Sequence, residues 1–194
     1  MKRKNRYVYV IFAGILILAG LLRGQELWSG NFLFLIDQGR DLVEVKKIMF
    51  DHDLTLIGPY TSLQGVFQGP LYYYLLAIPV FIFNGNPWGA MLLMFLISMS
   101  VIVIVFFWMR KLFGSVPALV TSFLFAVSPE AISAATYIWN PHPMWLLIVI
   151  YLFGLYELVL GRLKYHFLVW PILSLMFHFE TALAVFLSLA TVLF

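Results

Sequence analysis

Repeated apolar runs, several of them close to the length that crosses a lipid bilayer, constrain this chain more than any other feature. The longest covers residues 88–109, and as a helix it would reach about 33 Å, more than the hydrocarbon core of about 30 Å. Of the 194 residues, 63% are hydrophobic and only 11% are charged, whereas about a quarter of an average soluble domain is charged. We therefore predict an all-α, polytopic integral membrane protein.

Basic residues at the ends of the apolar runs predict its orientation. They cluster at residues 2–6, 110–111 and 162–164, and the positive-inside rule places all three clusters in the cytoplasm. The chain must then cross outward after the first cluster and return before the second. The run 71–83 would be only about 20 Å long as a helix and contains Pro79, so we assign it as an interfacial or re-entrant helix on the outer face.

The positions of the basic clusters predict how the chain crosses the membrane. We expect a multi-pass protein of the plasma membrane with a cytoplasmic N-terminus. Its apolar ending predicts that the chain is truncated at the C-terminus. The region after the first span becomes a long exoplasmic loop, residues 24–87, that carries amphipathic juxtamembrane helices. The predicted spans are 7–22, 88–109, 115–129 and 143–161, and 166–194 forms either one broken helix or two further crossings.

Charge and cysteine content exclude several classes of partner. The net charge of +3 is small, and its basic residues lie at the ends of apolar segments, which favours the lipid bilayer and not nucleic acid as a partner. The chain has no cysteine, so it has no disulfide and no Cys-based metal or redox site. Asp51, His52 and Asp53 are consecutive and would converge poorly on one ion. We expect no metal site and no required cofactor. If a cofactor were used, a divalent metal ion would be the alternative left open.

Polar residues crowd into one stretch of the exoplasmic loop, residues 33–44. Asp37, Asp41 and Glu44 are spaced i, i+4, i+7, which places them on one face of a helix, while Leu42 and Val45 fall on another. The pattern predicts an amphipathic helix that lies on the outer leaflet with a carboxylate edge.

A series of polar motifs follows in order on the same predicted side. Asp37 comes after the first span, a Gly-Pro pair lies at 58–59, and Gly-Pro-Leu-Tyr-Tyr at 69–73 opens the short outer helix. "WNPHP" at 139–143 and "HFE" at 178–180 interrupt later apolar runs. Residues 37–88 resemble the first exoplasmic loop of polyprenyl-phosphate-sugar-dependent glycosyltransferases. These are the family 39 relatives of dolichyl-phosphate-mannose protein mannosyltransferases and of the lipid A aminoarabinose transferase.

This resemblance implies the N-terminal part of a GT-C-like transmembrane domain. It implies inverting transfer of a hexose or pentose from a polyprenyl-phosphate donor, without a nucleotide sugar, to a lipid, glycan or protein acceptor on the extracytoplasmic face. Cell-envelope glycan, glycolipid or protein glycosylation would be the setting. The sequence departs from many relatives at Gln38, where a second acidic residue is common, and at Gln68, where Lys or His is common.

Two residues of the polar stretch are the catalytic candidates. Asp37 holds the position of the general base, which must reach the acceptor hydroxyl; its alternative role is to cap the helix. Asp41, one turn along, is the second candidate. Arg40 can grip two oxygens of a donor phosphate or form an i, i+4 pair with Glu44.

Further polar and aromatic residues are candidates for substrate binding. The helix break at Pro141 favours a cavity wall, and polar residues within apolar segments are functional candidates by default. Loop amides can bind substrate or face solvent, and tyrosines can form a sugar platform or an interfacial belt. The two polar residues of "HFE" can instead pair with each other. The candidates are Gln68, Tyr72, Tyr73, Asn140, His142, His178 and Glu180.

Two other function classes compete with the transferase. A transporter or flippase of a lipid-linked glycan would also use broken helices and intramembrane polar groups, but it predicts charges near the membrane midplane and an inverted repeat. A non-catalytic scaffold would tolerate any change at Asp37. The carboxylates gather in one exoplasmic loop and no repeat is evident, so we favour the transferase.

Overall fold

A computed structural model describes residues 2–61 and 63–192, with the side chains of residues 2–5 left out. Over these residues the chain forms nine α-helices and no β-strand. A π-helical turn, Lys47–Asp51, extends α2, and a 3-10 turn, Leu163–Tyr165, precedes α8. The helices are α1 Lys2–Ser29, α2 Ile36–Lys46, α3 Leu71–Ile82, α4 Trp88–Phe113, α5 Ser115–Val127, α6 Pro129–Thr136, α7 Met144–Val159, α8 His166–Met176 and α9 Thr181–Val192.

Two helices of the described chain, α1 from Arg6 onward and α4, are long and apolar enough to cross a membrane. A third candidate is the pair α5 and α6, which passes the same test as one span bent by 56°. The apolar helices α3, α7, α8 and α9 are shorter. The predicted fold class, an all-α polytopic membrane protein, is confirmed, while the assignment of individual crossings stays a prediction.

Helix α1 extends to Ser29, beyond the predicted span 7–22. The residue that follows the predicted span, Arg23, is buried inside the bundle. Arg23 is 1% exposed. Its guanidinium donates to Ser98 Oγ at 2.9 Å and to the carbonyls of Phe125 and Ala126 at 2.6 and 2.7 Å. These carbonyls lie in the last turn of α5, where the break before Pro129 removes their usual N–H partners. The loop therefore begins after Ser29, not at residue 24.

Contacts between charged and aromatic side chains define the two ends of the bundle. At one, here called the basic end, the Arg110 guanidinium lies 4.6 Å from the Tyr9 ring centre. Lys111 and Arg162 both pair there with the buried Glu157. At the other, the loop end, Trp88 Nε1 donates to the carbonyl of Leu27 at 2.9 Å. Helices α1 and α4 are therefore antiparallel, and the basic residues that follow α4 and α7 share one end.

The apolar face of α2 packs against protein and not against the leaflet. Leu42 and Val45 are buried in the main core together with Tyr72 and Leu76 of α3. The prediction of a helix lying on the lipid surface is therefore wrong in its packing, because α3 covers the face that was expected to meet lipid. This core also includes residues from α4, α7, α8 and α9. The helices that carry the loop end therefore share one apolar core.

The last two helices form a hairpin. Helix α8 ends at Met176, and α9 begins at Thr181 after a four-residue break. The hydroxyl of Thr191, near the end of α9, lies 2.8 Å from the Tyr151 hydroxyl in the middle of α7. A straight continuation of α8 would carry Thr191 beyond the bundle. Helix α9 therefore turns back beside α7, with the break at the loop end.

Candidate active site

An open cavity of about 320 Å³ lies at the loop end. Its wall comes from α2, from the loop between α2 and α3, and from the breaks before α7 and α9. Segments that are up to 143 residues apart in sequence therefore meet around one space. Of the predicted site residues, it brings together Asp37, Arg40, Gln68, Asn140 and Glu180, with Tyr60, Thr61, Trp139 and Pro141 completing the lining.

Arg40 is the cation of this cavity. Its guanidinium contacts Asp37 Oδ1 at 3.0 Å and reaches Asp41 Oδ1 through Nη2 at 2.7 Å and through Nε at 2.8 Å. It also lies over the Tyr60 ring, 4.5 Å from the ring centre. The alternative pair with Glu44 does not form, because Glu44 binds Lys47 at 2.7 Å. Arg40 is thus held in place by two carboxylates and one aromatic ring.

Asp37 has one carboxylate oxygen that makes no hydrogen bond within the described residues. It is the second residue of α2, and Leu35 occupies the cap position, so Asp37 is not the N-cap. Its side chain is 49% exposed, and Oδ1 accepts from Arg40. Within the described residues, Oδ2 has no hydrogen-bond partner. A carboxylate oxygen at the wall of an open cavity meets the geometric requirement for a general base.

Asp41 differs from Asp37 although it lies one turn further along the same helix. It is 1% exposed, and its Oδ2 is enclosed without a hydrogen-bond partner. Burial raises the pKa of Asp41 to about 6, against the opposing effect of the hydrogen bond from Arg40. Asp41 does not line the cavity. Its geometry suits a residue that positions Arg40, and not one that meets substrate.

Gln38 is a structural residue that the sequence reasoning missed. Its Oε1 accepts from the Leu35 N–H at 2.9 Å, and its Nε2 donates to the carbonyl of Ile138 at 2.8 Å. It therefore satisfies a free N–H at the start of α2 and ties this helix to the segment before "WNPHP". The signal was present: a Gln three residues after the cap position is a recurring helix-start pattern.

Asn140 joins the loop to the last helix break. Its side-chain amide donates to Gln68 Oε1 at 2.9 Å and to the carbonyl of Phe179 at 2.8 Å. Both amide side chains are 7% exposed. Two hydrogen bonds at the cavity wall thus connect the loop and the two helix breaks, which are far apart in sequence.

Two glycines allow the loop to approach its neighbours closely. The loop folds back on itself, with Gly58 N–H donating to the Gln68 carbonyl at 3.0 Å. A Cβ on Gly58 would lie 2.1 Å from the Gly69 carbonyl oxygen, and one on Gly69 would lie 1.9 Å from Nδ1 of His178. Only glycine fits at position 58, because the close atoms there belong to the backbone, and a larger residue at position 69 would displace the His178 ring. His178 therefore lies against the backbone of Gly69, and its Nδ1 is buried without a partner in the described chain.

Four predicted binding residues lie away from the cavity wall, namely His178, which packs behind Gly69, and Tyr72, Tyr73 and His142. Tyr72 and Tyr73 are 0% and 3% exposed and belong to the core beneath Asp41. His142 lines an adjoining cavity, and its Nδ1 lies 2.9 Å from the carbonyl of Tyr137. Burial lowers the pKa of His142 to about 4, so the imidazole is neutral near pH 7. Their proposed contacts with substrate stay predictions.

Acidic and histidine side chains do not gather into a metal site in the part of the chain that the structure describes. No group of three or more His, Cys, Asp or Glu side chains is placed there to hold an ion.

Comparison with known families identifies the class. The model of the dolichyl-phosphate-mannose-protein mannosyltransferase family matches residues 68–194, so the chain belongs to this family. Together with the all-α bundle, this match makes the chain a membrane glycosyltransferase of the GT-C type. No curated protein and no solved structure matches the chain. The matched region includes Gln68, Asn140 and Glu180, and it begins after α2.

Proposed function

We propose that this protein transfers a sugar from a polyprenyl-phosphate donor to an acceptor on the extracytoplasmic face, with Asp37 as the general base. The supporting observation is that a half-exposed carboxylate with one free oxygen lines the cavity where the polar motifs of the chain meet. Family membership supports glycosyl transfer in general, and the donor class, the face of the membrane and the role of Asp37 are our inference.

The reaction is a direct displacement at the anomeric carbon. The acceptor hydroxyl oxygen forms the new glycosidic bond while its proton passes to Oδ2 of Asp37. The bond between the anomeric carbon and the phosphate oxygen breaks with its electron pair on that oxygen, and polyprenyl phosphate leaves as an anion. One displacement of this kind inverts the configuration of the anomeric carbon.

Arg40 is the proposed contact for the departing phosphate. Its hydrogen bonds to Asp37 and Asp41 use one N–H of Nη1 and the N–H of Nε. A guanidinium has five N–H groups, so others are left to donate to a phosphate oxygen. A guanidinium keeps its charge throughout the reaction. Because Asp41 is buried beneath it, Arg40 is held toward the cavity while negative charge develops on the leaving group.

Transport of a lipid-linked glycan receives less support from this arrangement. A transporter places its functional charges near the midplane, at the interface of two repeats. The charged residues that line the cavity instead lie in α2 and at the helix break before α9, all at the loop end.

The test is transfer of sugar by the Asp37→Asn protein. Asn keeps the size of the side chain but cannot take the proton, and loss of a general base typically lowers the rate by about 10²–10⁴-fold. The assay follows transfer from polyprenyl-phosphate mannose, and from other polyprenyl-phosphate hexoses and pentoses, in liposomes. Glu44→Gln is the matched control, because it neutralises an acidic residue of the same helix that does not line the cavity. An Asp37→Asn protein that melts normally and transfers at the wild-type rate would rule Asp37 out.

A further inference from the structure

Two more cavities adjoin the one that contains Asp37. The first, of about 440 Å³, shares Trp139 and Pro141 with it. The second, of about 430 Å³, shares Ser133 and Tyr137 with the first. Together they form a groove that leads from the active cavity along α6 to the end of α1. We call it the aromatic groove, and the residues on which the argument depends are Glu26, Asn31, Glu130, Tyr137, Trp139 and His142.

The floor of the groove is a cluster of three rings. The rings of Tyr137 and Trp139 are stacked, with their centres 6.0 Å apart and their planes at 26°. His142 meets both edge-on, at 4.5 Å from Tyr137 and 5.5 Å from Trp139. Because a carbonyl can only accept, the imidazole donates its Nδ1 proton to the Tyr137 carbonyl, and Nε2 remains as an acceptor. Trp139 keeps 38% of its surface exposed and stands between the aromatic groove and the active cavity.

The charged groups of the groove are both carboxylates, which can only accept hydrogen bonds. Glu130 is an exposed carboxylate on α6, and it accepts a hydrogen bond from the hydroxyl of Ser128 at 2.9 Å. Glu26 lies at the far end beside Asn31. No lysine or arginine lines either adjoining cavity in the described chain, and His142 is neutral near pH 7. The aromatic groove therefore disfavours phosphate and other anions.

We propose that the aromatic groove binds an uncharged saccharide chain, which is the acceptor glycan of the transfer reaction. A sugar supplies many hydroxyl donors for carboxylate and imidazole acceptors, and the C–H face of its ring is an apolar surface that packs on an aromatic ring. A hydrocarbon tail would instead remove the carboxylates of Glu26 and Glu130 from water and supply no hydrogen-bond donor in its place, which is costly. The inference rests on the proposed function, because the groove ends where Asp37 would meet the acceptor hydroxyl.

Binding can be measured without chemistry. The protein in lipid nanodiscs is titrated with neutral trisaccharides of mannose, glucose and galactose, and saturation-transfer NMR reports contact. We expect at least one trisaccharide to bind, and Glu44→Gln, a change outside all three cavities, to bind it as the wild type does. Trp139→Ala should weaken binding by roughly tenfold or more, as loss of an aromatic hot-spot residue does, and Trp139→Phe should restore part of it. Trp170→Ala is the matched control, since Trp170 is 43% exposed and lies on α8, outside the groove.

The outcomes test the saccharide groove independently of the proposed role of Asp37. Unchanged binding by Trp139→Ala, or binding of none of the neutral trisaccharides, would overturn the saccharide groove. Preferential binding of trigalacturonate or of a serine- and threonine-rich peptide would overturn it in favour of an anionic or a protein acceptor. Normal transfer by Asp37→Asn together with Trp139-dependent binding would reject the proposed base and leave the aromatic groove standing.

Discussion

At the scale of single residues, burial separates two carboxylates that the sequence pattern treats as equivalent. Asp37 and Asp41 lie one turn apart and contact the same guanidinium. Asp37 faces the open cavity, whereas Asp41 is enclosed and has an oxygen without a partner. The difference in solvation assigns them different tasks: Asp37 can exchange a proton with a substrate, and Asp41 keeps Arg40 in place.

The raised pKa of Asp41 predicts a pH-dependent stability. Folding raises this pKa from 3.8 to about 6, so the folded protein holds the proton more tightly than the unfolded chain. The contribution of Asp41 to the free energy of unfolding is then greatest below about pH 4 and falls as the pH rises through 6, by up to about 3 kcal/mol. Asp41→Asn lacks this dependence. Between pH 4 and pH 7 in detergent, the melting temperature of Asp41→Asn should rise relative to that of the wild type. A difference in melting temperature that stays constant over this range would contradict the prediction.

At the scale of elements, the site depends on a few hydrogen bonds that hold helix breaks and a loop together. Gln38 connects α2 to the segment after α6, and Asn140 connects the loop to the break between α8 and α9. Helices leave carbonyls and N–H groups free where they are interrupted. In this protein, amide side chains use some of those groups to join elements that are far apart in sequence.

Removing the Asn140 amide should therefore loosen the cavity wall. Asn140→Leu keeps a similar volume but leaves Gln68 Oε1 and the Phe179 carbonyl without their donor, and each unsatisfied buried group costs about 1–3 kcal/mol. We expect a lower melting temperature and weaker transfer. Gln64→Leu, a change to an exposed amide of the same loop, should alter stability by less than about 0.5 kcal/mol. Equal melting temperatures for Asn140→Leu and the wild type would show that these bonds do not support the fold.

At the scale of the whole molecule, the antiparallel arrangement of α1 and α4 separates a basic end from a loop end. Arg110, Lys111 and Arg162 share the first, and the cavity lies at the second. Helix α3 has 12 residues, about 18 Å, which is too short for a hydrocarbon core of about 30 Å. With the positive-inside rule, this arrangement supports an extracytoplasmic cavity above a re-entrant or interfacial α3.

Labelling of single cysteines tests this orientation in a chain that has no native cysteine. Leu63→Cys and Asn86→Cys flank α3, and both should react with an impermeant thiol reagent added outside intact cells. Leu163→Cys, at an exposed residue of the basic end, should react only after permeabilisation. Reaction at only one of the first two positions would mean that α3 crosses the membrane, and the reverse pattern would mean that the cavity faces the cytoplasm.

The sequence alone determined the class of protein and its family resemblance. Hydropathy over a window of about 20 residues is a local property, and the ordered polar motifs carried the resemblance that the family match confirms. Because these motifs lie on one predicted side of the membrane, the sequence also predicted several site residues that the structure places around one cavity, namely Asp37, Arg40, Gln68, Asn140 and Glu180.

Only the tertiary structure decided what each polar residue contacts. The predicted span 7–22 ends just before Arg23, yet Arg23 lies inside the bundle, where the break after α5 supplies carbonyl acceptors for it. Tyr72 and Tyr73 looked like surface aromatics, and α2 covers them. Burial and hydrogen bonding depend on partners about 100 residues away, and a local pattern holds no information about which distant segment will supply them.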